Sequence, residues 1–420
     1  MKRFEHNLSH PVAMAGKLGK LQTLSVVPVL AGDSIQDDTQ IVTRLSPQNK
    51  WMLFDTQVDI FKFFIPDRHI EGEAYEEFMM AGVNETFNWS TVSVTNCQFL
   101  GQPLRTGTIQ LRLLAGYNRI WNRFFSTPTQ LPKFGDNDYP SDAQVRKYGR
   151  NVGRLPTPWT TAVADLIAAA DKEVTVSGGV FDVTELGQQK GIYNSEVVRQ
   201  WFATERYTDV LREVYGGRAN TDADERPVLL SHTTRSLGGK DIDGTAETNL
   251  GVYAGKSIGY TECGFPRRFF PEHGLLWTMA VVRPPTMHYY ECHPMFLNNN
   301  PSYKEYSADP MLWEMEPPEV LSAANWFTNG AVNDLGMVPY GQHYRYHPGV
   351  VHGDFRENEG FALLYETPAG AVGAWYSQDA DYDQAFKNTQ LGHWQMQGRV
   401  LLEARRVVTP AGFSVKAGTK

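Results

Sequence analysis

The stretch that most constrains this chain runs from Thr56 to Ile65. It opens with a period of two, Val58 and Ile60 pointing one way and Gln57 and Asp59 the other. It ends as a nearly continuous aromatic block, Phe61-Lys62-Phe63-Phe64-Ile65, halted by Pro66. Period two is the pleat of a β-strand, and an unbroken apolar run is the mark of a strand covered on both faces. A strand wet at one end and covered at the other is therefore expected. Upstream, Val26, Val27, Val29 and Leu30 form a second β-type run, interrupted by Pro28 and closed by the turn Ala31-Gly32-Asp33. Residues 21–70 are thus expected to be the edge and wall of a β-barrel or sandwich.

The far end of the chain carries the cleanest alternation. From Trp394 to Val408, Trp394, Met396, Val400, Leu402 and Ala404 face one way, while Gln395, Gln397, Arg399, Glu403 and Arg405 face the other. Further strands are expected at Arg226 to Ser231, Thr248 to Tyr260, Leu275 to Arg283 and Phe361 to Glu366. Between the terminal strands lie helical patterns: Gly72 to Gly82, Ile109 to Phe125 (stripe Ile109, Leu113, Tyr117, Ile120, Trp121, Phe124), 161–172, and Ser195 to Tyr215 ended by Gly216-Gly217. A small hairpin fits Glu173 to Val183, and residues 86–108 are turn-rich and weakly patterned. Strands at both ends with helices between them imply one β domain over 1–420, not consecutive domains. Its parts are a basic arm without folded structure (1–20), first strands (21–70), a helix- and loop-rich insertion (71–220), the remaining strands with long loops (221–408) and a tail (409–420).

Composition supports an ordered, loop-rich β protein: 12% aromatic residues, 37 Gly and 24 Pro in 420 residues. The net charge of -8 argues against a chain wholly devoted to nucleic acid, though it leaves room for one basic face. Cys97, Cys263 and Cys292 are too few and too scattered for a disulfide framework or a Cys-based zinc site, as suits a reducing cytoplasm. Lys17 and Lys20 interrupt the approach to the first apolar run, so no secretory leader is expected, and no run approaches the length of a membrane helix.

Candidate chemistry is thin. Asp379-Ala380-Asp381-Tyr382-Asp383 opens like a calcium loop, but Gln384 and Gln390 stand where Gly and Glu are needed, so a solvated acidic turn is expected. Leu237-Gly238-Gly239-Lys240-Asp241 lacks both the first glycine and the final Ser or Thr of a phosphate loop. The pairs His288/His293 and His347/His352 lack helical metal-site spacing and lie beside Pro294 and Pro348, so hydrogen-bonded loop histidines are expected. No nucleophile elbow occurs. The densest positive charge is Arg146, Lys147, Arg150 and Arg154, with Tyr148 among them, which suits phosphate contact and base stacking. With Lys2, Arg3, Lys17 and Lys20 it makes the candidate nucleic-acid-facing set. Arg267-Arg268, between Phe265 and Phe269-Phe270, is expected to be a snorkelling pair in a packed turn or a subunit contact.

A family likeness is carried by segments in a fixed order: HNLSH (6–10), GKLGKLQTLS, PVLAGDS (28–34), TRLSP (43–47) and DTQVDIFKFFIPDRH (55–69). DADERP (222–227), DIDGT (241–245), PRRFFPEHG (266–274), WYSQDADYDQAF (375–386) and the last strand continue it. In these the chain resembles the major capsid proteins of microviruses, the small icosahedral single-stranded DNA phages, and more closely their phi-X-type branch. The resemblance spans most of the chain, with departures concentrated at 86–190 and 286–345.

The resemblance implies an eight-stranded antiparallel viral jelly-roll barrel with large loop and helical insertions, and sixty copies in a T=1 shell around circular single-stranded DNA. It implies a virion protein assembled in the host bacterial cytoplasm. Its partners would be itself, in pentamers and shell, a spike protein, a small basic DNA-packing protein, a DNA pilot protein and scaffolding proteins, with no membrane. It implies no enzymatic activity and no cofactor beyond a structural calcium ion whose ligands are unassigned. Abundant Trp and Tyr with dispersed carboxylates also admit an alternative, a carbohydrate-binding or carbohydrate-active β-sandwich protein.

Overall fold

The computed structural model describes residues 3–50, 56–72, 74–75, 78, 86–94, 97–103, 107–125, 134–138, 226–241, 255–283, 290–298, 302–307, 319–328, 334–338, 340–345, 347–353, 382–387 and 392–408. Within them the chain is mainly β and its sheets are antiparallel. The first sheet has the order β1 (Phe4–Asn7), β14 (Trp394–Arg406), β4 (Ser34–Leu45), β10 (Gly255–Phe269), β9 (Gly238–Asp241), with β2 (His10–Gly16) also on β14. The second has the order β3 (Gln22–Val29), β11 (Gly274–Arg283), β5 (Gln57–Pro66), β8 (Val228–Ser236). Two small ribbons pair β6 (Thr91–Val94) with β7 (Gly107–Gln110), and β12 (Glu319–Ser322) with β13 (Asp334–Val338).

The two main sheets face each other. Ile41, Leu45, Trp394 and Met396 of the first pack with Val58, Ile60, Ala280 and Val282 of the second. Farther along, Ile35, Val400 and Leu402 meet Phe64 and Leu276. Between these two apolar patches sits a charge. The Lys62 ammonium donates to Asp37 Oδ2 at 2.8 Å, to Thr39 Oγ1 and to Thr278 Oγ1 at 2.8 Å, so its three protons cross from β5 to β4 and to neighbouring β11. Thr39 Oγ1 also donates to the other Asp37 oxygen at 2.7 Å. Burial pushes the Lys62 amine below its ordinary value, against the attraction of Asp37.

The other face of the second sheet is covered as well. Phe61, Phe63, Ile65, Leu275, Trp277 and Met279 lie beneath α1 (Leu111–Ile120) and the wider turn Trp121–Phe125 that continues it. Leu114, Tyr117, Ile120, Trp121 and Phe125 supply the helical side of this layer. The helix comes close because position 116 is glycine: a Cβ there would lie 2.8 Å from the Trp277 ring. The Tyr117 hydroxyl donates to Leu21 O at 2.8 Å, tying the helix to the start of β3.

Several expectations are corrected. The wet end of the Thr56–Ile65 strand is dry: Asp59 is fully buried, bound by Arg283, His232 and Thr234, so alternation there separates a charged network from aliphatic core instead of water from core. Residues 4–16 are no loose arm. They form β1 and β2 along one edge of the last strand, from Phe4 opposite Arg406 to Gly16 opposite Trp394. Basic composition hid the short alternation that lets this segment add to an open edge. Ile109 belongs to β7, and Phe124 is 36% exposed, so the helical stripe is shorter than its pattern. The weakly patterned 86–108 region holds β6 and η1 (Gln98–Leu100), with β7 beginning at its end. Arg267 and Arg268 lie in β10 beside a register shift, not in a turn.

The last strand alternates as expected, with Trp394, Met396, Val400, Leu402 and Ala404 buried and Gln395, Gln397, Arg399, Glu403 and Arg405 exposed. In the expected helix 72–82, Tyr75 is helical and buried. The expected helices 161–172 and 195–215, the hairpin 173–183 and the strand 361–366 lie outside the described residues. Replacing Asp37 by Ala strands a buried ammonium and is expected to cost about 3–5 kcal/mol in chemical denaturation of the subunit, whereas the paired apolar replacement Asp37→Leu with Lys62→Met costs far less.

Candidate assembly and nucleic-acid surfaces

The basic residues at the N-terminus do not converge. Arg3 precedes β1, whose Phe4 pairs with Arg406, and Lys17 follows β2, whose Gly16 pairs with Trp394. These positions lie at opposite ends of β14, about 40 Å apart at ~3.3 Å per residue. Lys17 is held in an ion pair with Asp383 at 3.1 Å. Lys20 is half-buried between β2 and β3. Lys2, Arg146, Lys147, Arg150 and Arg154 lie outside the described residues.

At the Arg3 end, strand pairing assembles a group that sequence separation concealed. The Arg3 guanidinium stands 5.1 Å over the ring of Phe269, which is 52% exposed. Arg405 pairs with Glu5 at 2.7 Å, and Arg267 with Glu403 at 3.4 Å, on the same outer face of the first sheet. Beneath them Arg406 binds the buried Asp33 at 2.7 Å. The signal for this corner was the Arg267-Arg268 pair between phenylalanines; what sequence could not supply was its neighbours from β1 and β14.

At the Lys17 end, the expected solvated acidic turn is a packed corner. Tyr382, Ala385 and Phe386 are buried, and Asp383 joins Lys17 to His393. His393 stacks on Phe386 at 4.6 Å, accepts the Leu18 N–H on Nδ1 at 3.2 Å, and its backbone N–H donates to Gly16 O at 2.8 Å. Partial burial opposes ionisation of Asp383, but hydrogen bonds from His393 and Lys17 prevail and hold its carboxyl below the usual 3.8. Asp379 and Asp381 lie outside the described residues.

The remaining surface is rich in exposed rings: Phe296 at 77%, Tyr303 at 83% and Tyr306 at 70%. Large exposed aromatics characterise contact surfaces. All three cysteines are free thiols. Among the described residues no group of three His, Cys, Asp or Glu could hold a metal ion, and no helix is long and apolar enough to cross a membrane. His293 and His347, expected to be hydrogen-bonded loop histidines, bond to the carbonyls of His343 and Pro348 at 2.8 and 2.9 Å.

Two facing sheets, terminal strands tied together and exposed aromatic rings suit a structural subunit that packs against other chains. A family model described as capsid protein (F protein) matches residues 1–179 and 186–411. The chain is 32% identical over 416 residues to capsid protein F of Escherichia phage G4, spanning 96% of this chain and 95% of that protein. It is 31% identical over 421 residues to capsid protein F of Enterobacteria phage phiK, spanning 97% and 96%. To capsid protein F of Escherichia phage alpha3 it is 30% identical over 405 residues, spanning 94% and 93%. The chain belongs to the capsid protein F family, the major capsid proteins of microviruses, which are structural proteins and not enzymes. The carbohydrate-active alternative has no support among these relatives.

Because the Asp383 carboxyl is held below 3.8, the stability it lends the Lys17 corner is present above that value and lost as pH falls through its lower folded value. Proteolysis within residues 16–20 is expected to accelerate below about pH 3.8, and Asp383→Asn should show the faster rate already at neutral pH.

Proposed function

We propose that this chain builds the T=1 shell of a microvirus, sixty copies enclosing circular single-stranded DNA, with assembly in the host bacterial cytoplasm. The observation that carries this reading is the match to capsid F proteins along nearly the whole chain. The order of the strands supports the jelly-roll form of it. β2, β14, β4 and β10 lie side by side in one sheet and β3, β11, β5 and β8 in the other, so successive strands repeatedly change sheets. With the short β1 and β9 the two sheets hold ten strands; the eight named here resemble the two four-stranded sheets of a viral jelly roll. The same family likeness underlies the proposed spike, DNA-packing, DNA pilot and scaffolding partners, and a structural calcium ion without assigned ligands. Purified virions are expected to be isometric particles with this chain as the dominant protein band. A chain that stays monomeric under the conditions in which virions persist would sink the reading.

Contact with the packaged strand is proposed for Arg146, Lys147, Arg150 and Arg154, joined by Lys2, Arg3, Lys17 and Lys20. Charge density within 146–154 and the adjoining Tyr148 motivate it. Neutralising the first four together should lower the genome content per particle while leaving shells intact; unchanged packaging counts against the assignment.

A further inference from the structure

Three histidines that are dispersed in the sequence meet in one place. The ring of His293 lies 5.3 Å from that of His347 and 6.3 Å from that of His343. His293 precedes α2 (Pro294–Leu297), a single turn that carries Phe296, a ring 77% exposed. Its Nδ1 accepts the N–H of Met295 at 3.3 Å, so Nδ1 carries no proton, and its Nε2–H donates to His343 O at 2.8 Å. The same imidazole therefore caps the turn and fastens it to the segment Gln342–Tyr344. With both nitrogens engaged within the protein, His293 has no lone pair left for a metal.

We propose that His293 is an acid-operated clasp: neutral, it both caps the Phe296 turn and ties it to the 341–348 segment, and protonated, it keeps the tie through Nε2–H but loses the cap, so that the turn frays. A proton added at Nδ1 points an N–H at the Met295 N–H and removes the cap. The imidazoles of His343 and His347 face His293, and a charge on either would oppose a charge on it. Among the described residues the other titratable or charged groups on the packed segments are Tyr290, Glu291 and Cys292 beside His293, and Tyr340, Tyr344 and Arg345 on the facing segment; 323–328 carries none. Glu291, 7% exposed, is the one carboxylate among them. This inference is independent of what the shell encloses.

Hydrogen exchange of the full-length chain, corrected for the intrinsic effect of pH, tests it on the peptide spanning 290–298. Protection there should fall about fivefold, the size of one lost capping bond, through a single midpoint as the pH is lowered from neutral to 5, while peptides from β14 keep theirs. His293→Asn retains an acceptor for the Met295 amide but does not titrate, so it should stay protected at pH 5 as at neutral pH. His293→Ala should be unprotected at both, and Glu291→Gln should keep the original midpoint. The clasp is refuted by protection that does not change with pH, by loss that spreads equally to β14, by an unchanged midpoint in His293→Asn, or by a midpoint that disappears in Glu291→Gln.

Discussion

The ammonium of Lys62 is the contact on which the two-sheet arrangement turns. It sits with Asp37 at full burial between two apolar patches, and its three protons reach β4 and β11 from β5. Apolar burial is non-directional, so it favours contact between the facing sheets more than any one alignment of them. An ion pair with directed hydrogen bonds has one good geometry, and any slip leaves a charge buried and unpaired. The ion pair marks one alignment of β4 over β5, and the apolar patches on either side pack in that same alignment.

That register carries consequences to both faces of the second sheet. With Lys62, Ile60 and Phe64 turned inward, Phe61, Phe63 and Ile65 turn outward and need cover. α1 and the turn after it provide it, with Gly116 admitting the Trp277 ring. A second charged group, Asp59 with Arg283, His232 and Thr234, closes the end of the same strand. The first sheet, by contrast, covers the core with one face and leaves the other to water, which is why β14 alternates cleanly and β5 does not. Its outer face is where Arg3, Arg267 and Arg405 gather around Phe269.

The termini complete the sheet. β1 and β2 run along β14 and become the edge of the sheet in its place, two short strands where β14 would present one long edge. The corner at Lys17 then carries the chain to the second sheet, held by His393 and Asp383. Short edge strands offer little template for pairing with another chain, while the exposed rings Phe296, Tyr303 and Tyr306 lie outside both sheets.

The sequence by itself determined the strands whose apolar pattern is local: β3 with its closing turn and β11 as apolar runs, and β14 as a clean alternation, could be placed from apolar spacing alone, as could the core of α1. The ordered family segments likewise made the capsid likeness legible, because they depend on local words kept in order. Tertiary structure decided what depends on partners distant in sequence. Lys62 in an aromatic block and Asp59 at a seemingly wet position both look like exposed charges until Asp37, Thr278 and Arg283 arrive beside them. The basic N-terminal segment looked loose because a strand that adds to an edge draws its stability from hydrogen bonds to β14, almost four hundred residues later. The histidine cluster and the arginines around Phe269 were hidden for the same reason: their members share neither a helix turn nor a strand, and only the fold makes them neighbours.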